Sequence, residues 1–266
     1  MHDIVIRSGK VVDGTGKAIQ QMDIAIDNGL ITAVGNDIGE GRTEIDASDH
    51  LVTPGFVDVH THYDGQATWD PEMSPSSYHG VTTTVFGNCG VGFAPAQPDS
   101  HDWLIQLMEG VEDIPGAALA EGIEWNWETF PEYLDALEKM PRVMDIATQV
   151  PHGSVRAYVM GERGARNEDP TADDLLAMAQ IVREGIEAGA LGFTSSRTML
   201  HRALDGEPVP GTFAGAEELI AMGKAVAEAG GGVVEVASDI GLGGLEGNFG
   251  SDIDWMRALA LSLIHI

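Results

Sequence analysis

Pro54-Gly55-Phe56-Val57-Asp58-Val59-His60-Thr61-His62 is the stretch on which the reading of the fold turns. An apolar run of strand length enters from a Pro-Gly pair and ends in two histidines. Side chains two apart on a strand point the same way, so His60 and His62 face one side of the strand's carboxyl end. Two imidazoles placed like this chelate a divalent transition metal. The plainer alternative is two polar residues at a strand-to-loop junction. The apolar strand, the Pro-Gly entry and Asp58 two residues ahead of His60 weigh for ligation.

Working downstream, apolar runs at 55–60, 81–87, 143–150, 190–195 and 233–238 alternate with helical patterns at 127–139, 172–188, 215–229 and 251–262. That alternation predicts a parallel α/β sheet. In a closed (β/α)8 barrel the active site sits at the carboxyl ends of the strands, and the barrel needs eight strands and about 250 residues. This chain supplies five strands. It is either a smaller open sheet or the front part of a longer protein. The second run ends in Gly87-Asn88-Cys89-Gly90, at the same face as the histidines. A strand-end cysteine by itself is usually a small buried hydrophobe. Beside two histidines its thiolate becomes a third zinc-type ligand.

Upstream, residues 1–52 alternate apolar and polar at period two, with Asp27-Asn28-Gly29 as a hairpin turn. A small antiparallel unit, part of a β-sandwich, is expected there, followed by a truncated barrel over 53–260. Leu261-Ser262-Leu263-Ile264-His265-Ile266 fits neither a strand preceded by a turn nor a capped helix, so native and non-native origins both stay open for 261–266. The 266 residues carry 42 acidic and 14 basic groups, a formal charge of −28. That repels polyphosphate backbones and anionic lipid, so neither nucleic acid nor membrane is expected as a partner. One cysteine excludes an internal disulfide, and no basic leader precedes an apolar segment, so a cytoplasmic location is expected.

The Pro-Gly-Phe-Val-Asp-Val-His-Thr-His run, with Gly80-Val81-Thr82-Thr83-Thr84-Val85 and Gly87-Asn88-Cys89-Gly90, resembles the amidohydrolase superfamily, specifically its N-acyl-D-amino-acid deacylase (D-aminoacylase) branch. Trp127-Glu128-Thr129-Phe130, His152-Gly153-Ser154-Val155-Arg156 and Gly189-Ala190-Leu191-Gly192-Phe193-Thr194-Ser195 extend the match over nearly the whole chain. The resemblance implies a distorted (β/α)8 barrel beside a small β-sandwich, with one or two zinc ions held by residues that include His60, His62 and Cys89. It implies hydrolysis of the amide of an N-acylated amino acid or a related small amide. A general-base aspartate is expected beyond the end of this chain, so the chain alone is expected to be inactive.

The family places a ligand histidine at the end of the fifth strand. Here the residues are Val233-Val234-Glu235-Val236-Ala237-Ser238-Asp239, with Glu235 and Asp239 as the available substitutes. His152, Ser195, Arg197 and His201 follow the third and fourth strands and are candidate substrate contacts. Arg197 suits a substrate carboxylate and equally suits bracing the loop 204–211. Trp69, Trp125 and Trp127 read as packing or lid residues. Two alternatives stand beside the deacylase reading: a family member that has lost turnover and keeps a metal for structure, and a cyclic amide or imide hydrolase. Against the latter stands the absence of lysine from the third to fifth strands. Three missing strands would leave an unpaired sheet edge, predicting aggregation or dependence on a partner.

Overall fold

The computed structural model describes residues 1–238 and 249–263. The chain divides into two units, one of Met1–Phe56 and one from Val57 onward. In the first, β1 (His2–Val11), β2 (Gln20–Asp27), β3 (Leu30–Gly35), β4 (Gly41–Asp46) and β5 (Leu51–Val52) form one sheet in the order β3-β2-β1-β4, with β5 also on β1. The β2–β3 turn is the expected one. Asn28 and Gly29 hold φ of 52° and 77°, the left-handed pair a tight hairpin requires. The expectation of an antiparallel unit is corrected, because β1 pairs in parallel with both β4 and β5. The strand at 41–46 escapes a period-two reading because nearly all of it is exposed.

In the second unit β6 (Phe56–Asp58), β7 (Val81–Phe86) and β8 (Asp145–Thr148) form one ladder, and β9 (Val150–Pro151), β10 (Gly192–Arg197) and β11 (Val233–Ser238) form another. Only Gln149 separates β8 from β9. Its amide donates to Phe86 O at 3.0 Å, while Leu191 N donates to Thr148 O. One strand therefore serves both ladders, giving five consecutive barrel strands among the described residues. The helices are α1 (His101–Glu112), α2 (Gly116–Gly122), α3 (Phe130–Lys139), α4 (His152–Met160), α5 (Glu162–Ala165), α6 (Ala172–Glu187), α7 (Ala216–Glu228) and α8 (Phe249–Leu263). The outer helices pack α3 on α6, α6 on α7 and α7 on α8. No helix among the described residues is long and apolar enough to cross a membrane.

Several boundaries move for local reasons. The first barrel strand stops at Asp58, whose Oδ1 accepts from His60 N at 3.3 Å and turns the chain, so both histidines sit beyond the strand. α3 starts at Phe130, because Thr129 and Glu132 close a capping box. β10 starts at Gly192, after Gly189 takes φ of 116°. The helices α1, α2, α4 and α5 go unread from sequence. In α4 every residue from His152 to Arg156 is buried, so no polar face exists to produce a 3.6-residue period. α8 continues through Leu263, so residues 261–263 are helical. Residues 264–266 and Asp239 lie outside the described residues.

α6 opens on a second capping box. Thr171 N donates to Asp174 Oδ2 at 2.8 Å and Asp174 N to Thr171 Oγ1 at 3.2 Å. Thr171→Ala is expected to lower stability by about 1 kcal/mol in urea unfolding. The guanidinium of Arg163 and the Thr171 amide hold the Asp174 carboxyl down from 3.8 to about 2. Because the folded value is depressed, the contribution is complete above 3.8 and disappears as pH falls through 2. The stability gap between wild type and Asp174→Asn should therefore close across that window. A gap that stays constant there contradicts the role given to Asp174.

Candidate metal centre

The turn after β7 builds the centre. Gly87, Cys89 and Gly90 hold φ of 78°, 56° and 72°, a left-handed run that side chains disfavour and glycine permits. A Cβ on Gly90 would lie 2.8 Å from Ser196 N, and one on Gly87 would collide with the backbone of Gln149. Thr194 Oγ1 accepts from Gly90 N at 3.1 Å, and Gly153 N donates to Gly90 O at 2.8 Å. Asn88 joins this turn to the histidine loop, its Nδ2 donating to Thr61 O at 2.9 Å and Val85 O at 3.1 Å. Thr61 N in turn donates to Val85 O at 3.0 Å.

These restraints bring His60, His62 and Cys89 together. One donor atom from each lies within 4.8 Å of the others. His60 Nε2 is 3.2 Å from Cys89 Sγ, and the two imidazole centroids are 5.5 Å apart. The other ring nitrogen of His60 faces Glu235 Oε1 at 3.5 Å. Glu235 Oε2 accepts from Gln149 Nε2 at 2.7 Å, and Gln149 Nε2 also reaches Asn88 Oδ1 at 2.9 Å. Glu235 therefore lies behind His60 and outside the cluster of donor atoms. His62 Nε2 is 3.1 Å from Glu112 Oε1, and its Nδ1 is 3.9 Å from Asp64 Oδ2.

The electrostatics are those of a pocket suited to a cation. Burial pushes the Cys89 thiol up to about 12, with Glu112, Glu235 and Asp64 adding to it. Burial likewise raises Asp64 to about 8 and Glu112 to about 7. It lowers His62 to about 3, helped by the neighbouring His60 and His201. Two buried atoms here, His62 Nδ1 and Asp64 Oδ2, have no hydrogen-bond partner. A thiol and two imidazoles match the donor chemistry of zinc, and burial holds the Cys89 thiol, the His62 ring and the Asp64 and Glu112 carboxyls toward their neutral forms. A bound divalent charge reverses the cost of ionising the thiol and carboxyls.

The remaining sequence candidates have other surroundings. His152 is fully buried, with Nδ1 2.8 Å from Ser195 Oγ and Nε2 2.9 Å from Glu218 Oε1. Ser195 is equally buried, and in this structure the two side chains pair with each other within the framework. Arg156 also donates to Glu218 Oε1. Burial alone would raise the Glu218 carboxyl, but His152 and Arg156 reverse this and leave it below its ordinary value. Arg197 donates to Ala214 O at 2.5 Å, which is a bracing contact. His201 lies in a group with Cys89 and Glu112. Trp127 is buried and donates to Phe93 O, while Trp125 stacks on His101 at 3.8 Å. Sequence reasoning missed Glu112, Gln149 and Glu218. The first and last are ordinary helix acids until the fold buries them.

Glu218→Ala leaves the Arg156 charge and the His152 ring buried without their acceptor. It is expected to cost about 3–5 kcal/mol in chemical unfolding, and a loss below about 1 kcal/mol would contradict the role assigned to this network.

Residues 43–262 match the amidohydrolase family. The chain is 34% identical over 225 residues to an uncharacterised protein of Mycobacterium tuberculosis, covering 80% of this chain and 36% of that one. It is 31% identical over 195 residues to a D-aminoacylase of Alcaligenes xylosoxydans xylosoxydans, covering 73% and 37%. Among solved structures it is similar to the N-acyl-D-glutamate deacylase of Bordetella bronchiseptica, solved with zinc and a phosphonate inhibitor. There the TM-score is 0.71 at 29% identity, over 88% of this chain and 44% of that one. The chain thus spans a little over a third of the length of the curated relatives it matches. With its partial TIM barrel and these matches, the chain belongs to the amidohydrolase family, in its D-aminoacylase-like branch.

Proposed function

We propose that this chain carries the zinc-holding part of a hydrolase that cleaves the amide of a small N-acylated amino acid or a related compound. The observation that carries the reading is the convergence of His60, His62 and Cys89 donor atoms within 4.8 Å. A zinc-type ion held there supplies Lewis acidity toward an amide carbonyl and lowers the pKa of water.

The protein's own residues do the positioning. The Gly87–Gly90 turn fixes the sulfur, and Asn88 ties that turn to the histidine loop. Glu235 faces Nδ1 of His60 while Nε2 faces the sulfur, so the carboxylate favours the tautomer that leaves Nε2 its lone pair. Gln149 holds Glu235 in that place. Among the described residues no carboxylate of these five strands joins the His60–His62–Cys89 donor group, and we infer that the chain by itself binds metal without turnover.

One observation favours a second reading. Val233–Ser238 contains no histidine, where the branch resembled from sequence has a metal ligand, as a metal-keeping protein without activity would allow. A single assay separates the two. The full-length protein carrying this chain should hydrolyse N-acyl-D-amino acids, lose that activity on chelation and regain it with zinc. Cys89→Ala should lower kcat/KM by more than about 100-fold, since partners behind a metal ligand already contribute about 10–100-fold. Turnover that survives Cys89→Ala contradicts the proposal. Zinc binding without any amide hydrolysis selects the second reading.

A further inference from the structure

We propose that the cavity beside His62 receives the acyl group of the substrate, and that it takes neutral acyl chains longer than acetyl. The inference rests on the amide-hydrolase reading above and adds which end of the substrate enters the cavity. A space of 290 Å³ opens there, walled in part by His62, Tyr63, Gln66, Ser76, Glu112 and Ile114. His62 is thus both a wall of the cavity and one of the three donors that converge within 4.8 Å. Cavity and donor group meet at one side chain, so a substrate engaged by the donors reaches the cavity without leaving them.

The walls are fixed by the chain's own contacts. The segment after His62 doubles back on itself. Ala67 N donates to Tyr63 O at 2.8 Å, and the Gln66 amide donates to Asp70 Oδ2 and to Ser74 O at 2.8 Å each. The Tyr63 hydroxyl donates to Ser76 Oγ at 2.9 Å, which ties the start of the segment to its end. The other wall is the end of α1. Gly110 lets this helix lie directly on the loop after β10, since a Cβ there would come within 2.6 Å of Arg202 O and Leu204 N. Asp113 closes the helix with φ of 55°, and Ile114 follows as part of the wall.

The chemistry of the walls selects the guest. An N-acylated amino acid offers three groups: its α-carboxylate, its side chain and its acyl group. Among the described residues lining the cavity there is no lysine or arginine. The N–H groups of Gln66 and the hydroxyl of Tyr63 already donate to neighbours. Glu112, 3.1 Å from His62 Nε2, adds a carboxyl. A carboxylate entering here would lose its hydration with no cation to replace it. The amino-acid side chain shares its carbon with that carboxylate, so it would draw the charge towards Glu112. The acyl group lies across the amide from both and carries no charge. Ligand pockets begin at about 300 Å³, so an acetyl methyl leaves most of this one unfilled. The Tyr63 ring and Ile114 offer a longer chain apolar surface.

The test uses the full-length protein carrying this chain, loaded with zinc, and straight-chain alkyl hydroxamic acids. These chelate zinc through the hydroxamate and carry the alkyl group in place of the acyl chain, so calorimetry reads binding without turnover. A fully buried methylene is worth about fourfold in affinity, and this open cavity should give about twofold. Hexanohydroxamate should therefore bind about tenfold or more tighter than acetohydroxamate. Ile114→Trp should abolish that gain, so that the two hydroxamates bind alike. Ser76→Leu should do the same from the other wall, and the wild-type series needs no variant. A flat wild-type series overturns the proposal, as does a gain that survives both variants. So does an Ile114→Trp protein that keeps the gain and instead changes its discrimination between N-acetyl-D-alanine and N-acetyl-D-leucine, because the cavity then belongs to the amino-acid end. A protein that binds no hydroxamate of any length overturns the zinc reading and this proposal with it, whereas a flat series overturns this one alone.

Discussion

The structure around the candidate centre depends on a four-residue turn with no room for side chains at its ends. Gly87 and Gly90 lie against the backbone of Gln149 and of Ser195–Ser196, so the turn contacts two barrel strands besides the one it ends. That close approach fixes the position of the Cys89 sulfur. It also accounts for the hydrogen bonds from Thr194 and Gly153, whose partners are the backbone groups of the same turn. A larger residue at either glycine would push β7 away from its neighbours, and the sulfur would leave the histidines.

Behind the turn lies a polar layer with divided tasks. His152, Ser195, Glu218 and Arg156 are almost wholly buried and hydrogen-bond to one another, linking α4, β10 and α7 beneath the site. Asn88, Gln149 and Glu235 run alongside it and end on His60. Buried polar groups are costly unless paired, so these chains restrict how the strand ends can be arranged. Buried atoms without a hydrogen-bond partner occur at the centre, at His62 Nδ1 and Asp64 Oδ2, and in the layer itself, at Gln149 Oε1, Arg156 Nε and Glu218 Oε2.

Much of this was legible in the chain. The βα rhythm, the Asn28–Gly29 hairpin and the three donors at 60, 62 and 89 rest on local patterns that the fold preserves. What was hidden depends on contacts distant in sequence. Glu112 belongs to a helix whose glycine at 110 obscures its pattern and is explained only by the loop packed against it. His152 reads as a polar residue near a strand end, and only the burial of Glu218 and Arg156 around it shows its framework role. Glu235 stands where a ligand was sought, yet its partner is the far nitrogen of His60, a distinction that spacing does not carry. The edges follow the same logic: among the described residues β6 and β11 each pair on one side only, and Val57 and Val59 are more than half exposed.

The central claim is that one sulfur and two imidazoles share an ion, and X-ray absorption at the zinc edge tests it most directly. With one equivalent of zinc on the 266-residue chain, the account predicts a first shell holding one sulfur at about 2.3 Å beside nitrogen at about 2.0–2.1 Å. A shell of nitrogen and oxygen alone would contradict it, because Cys89 would then lie outside the metal's reach.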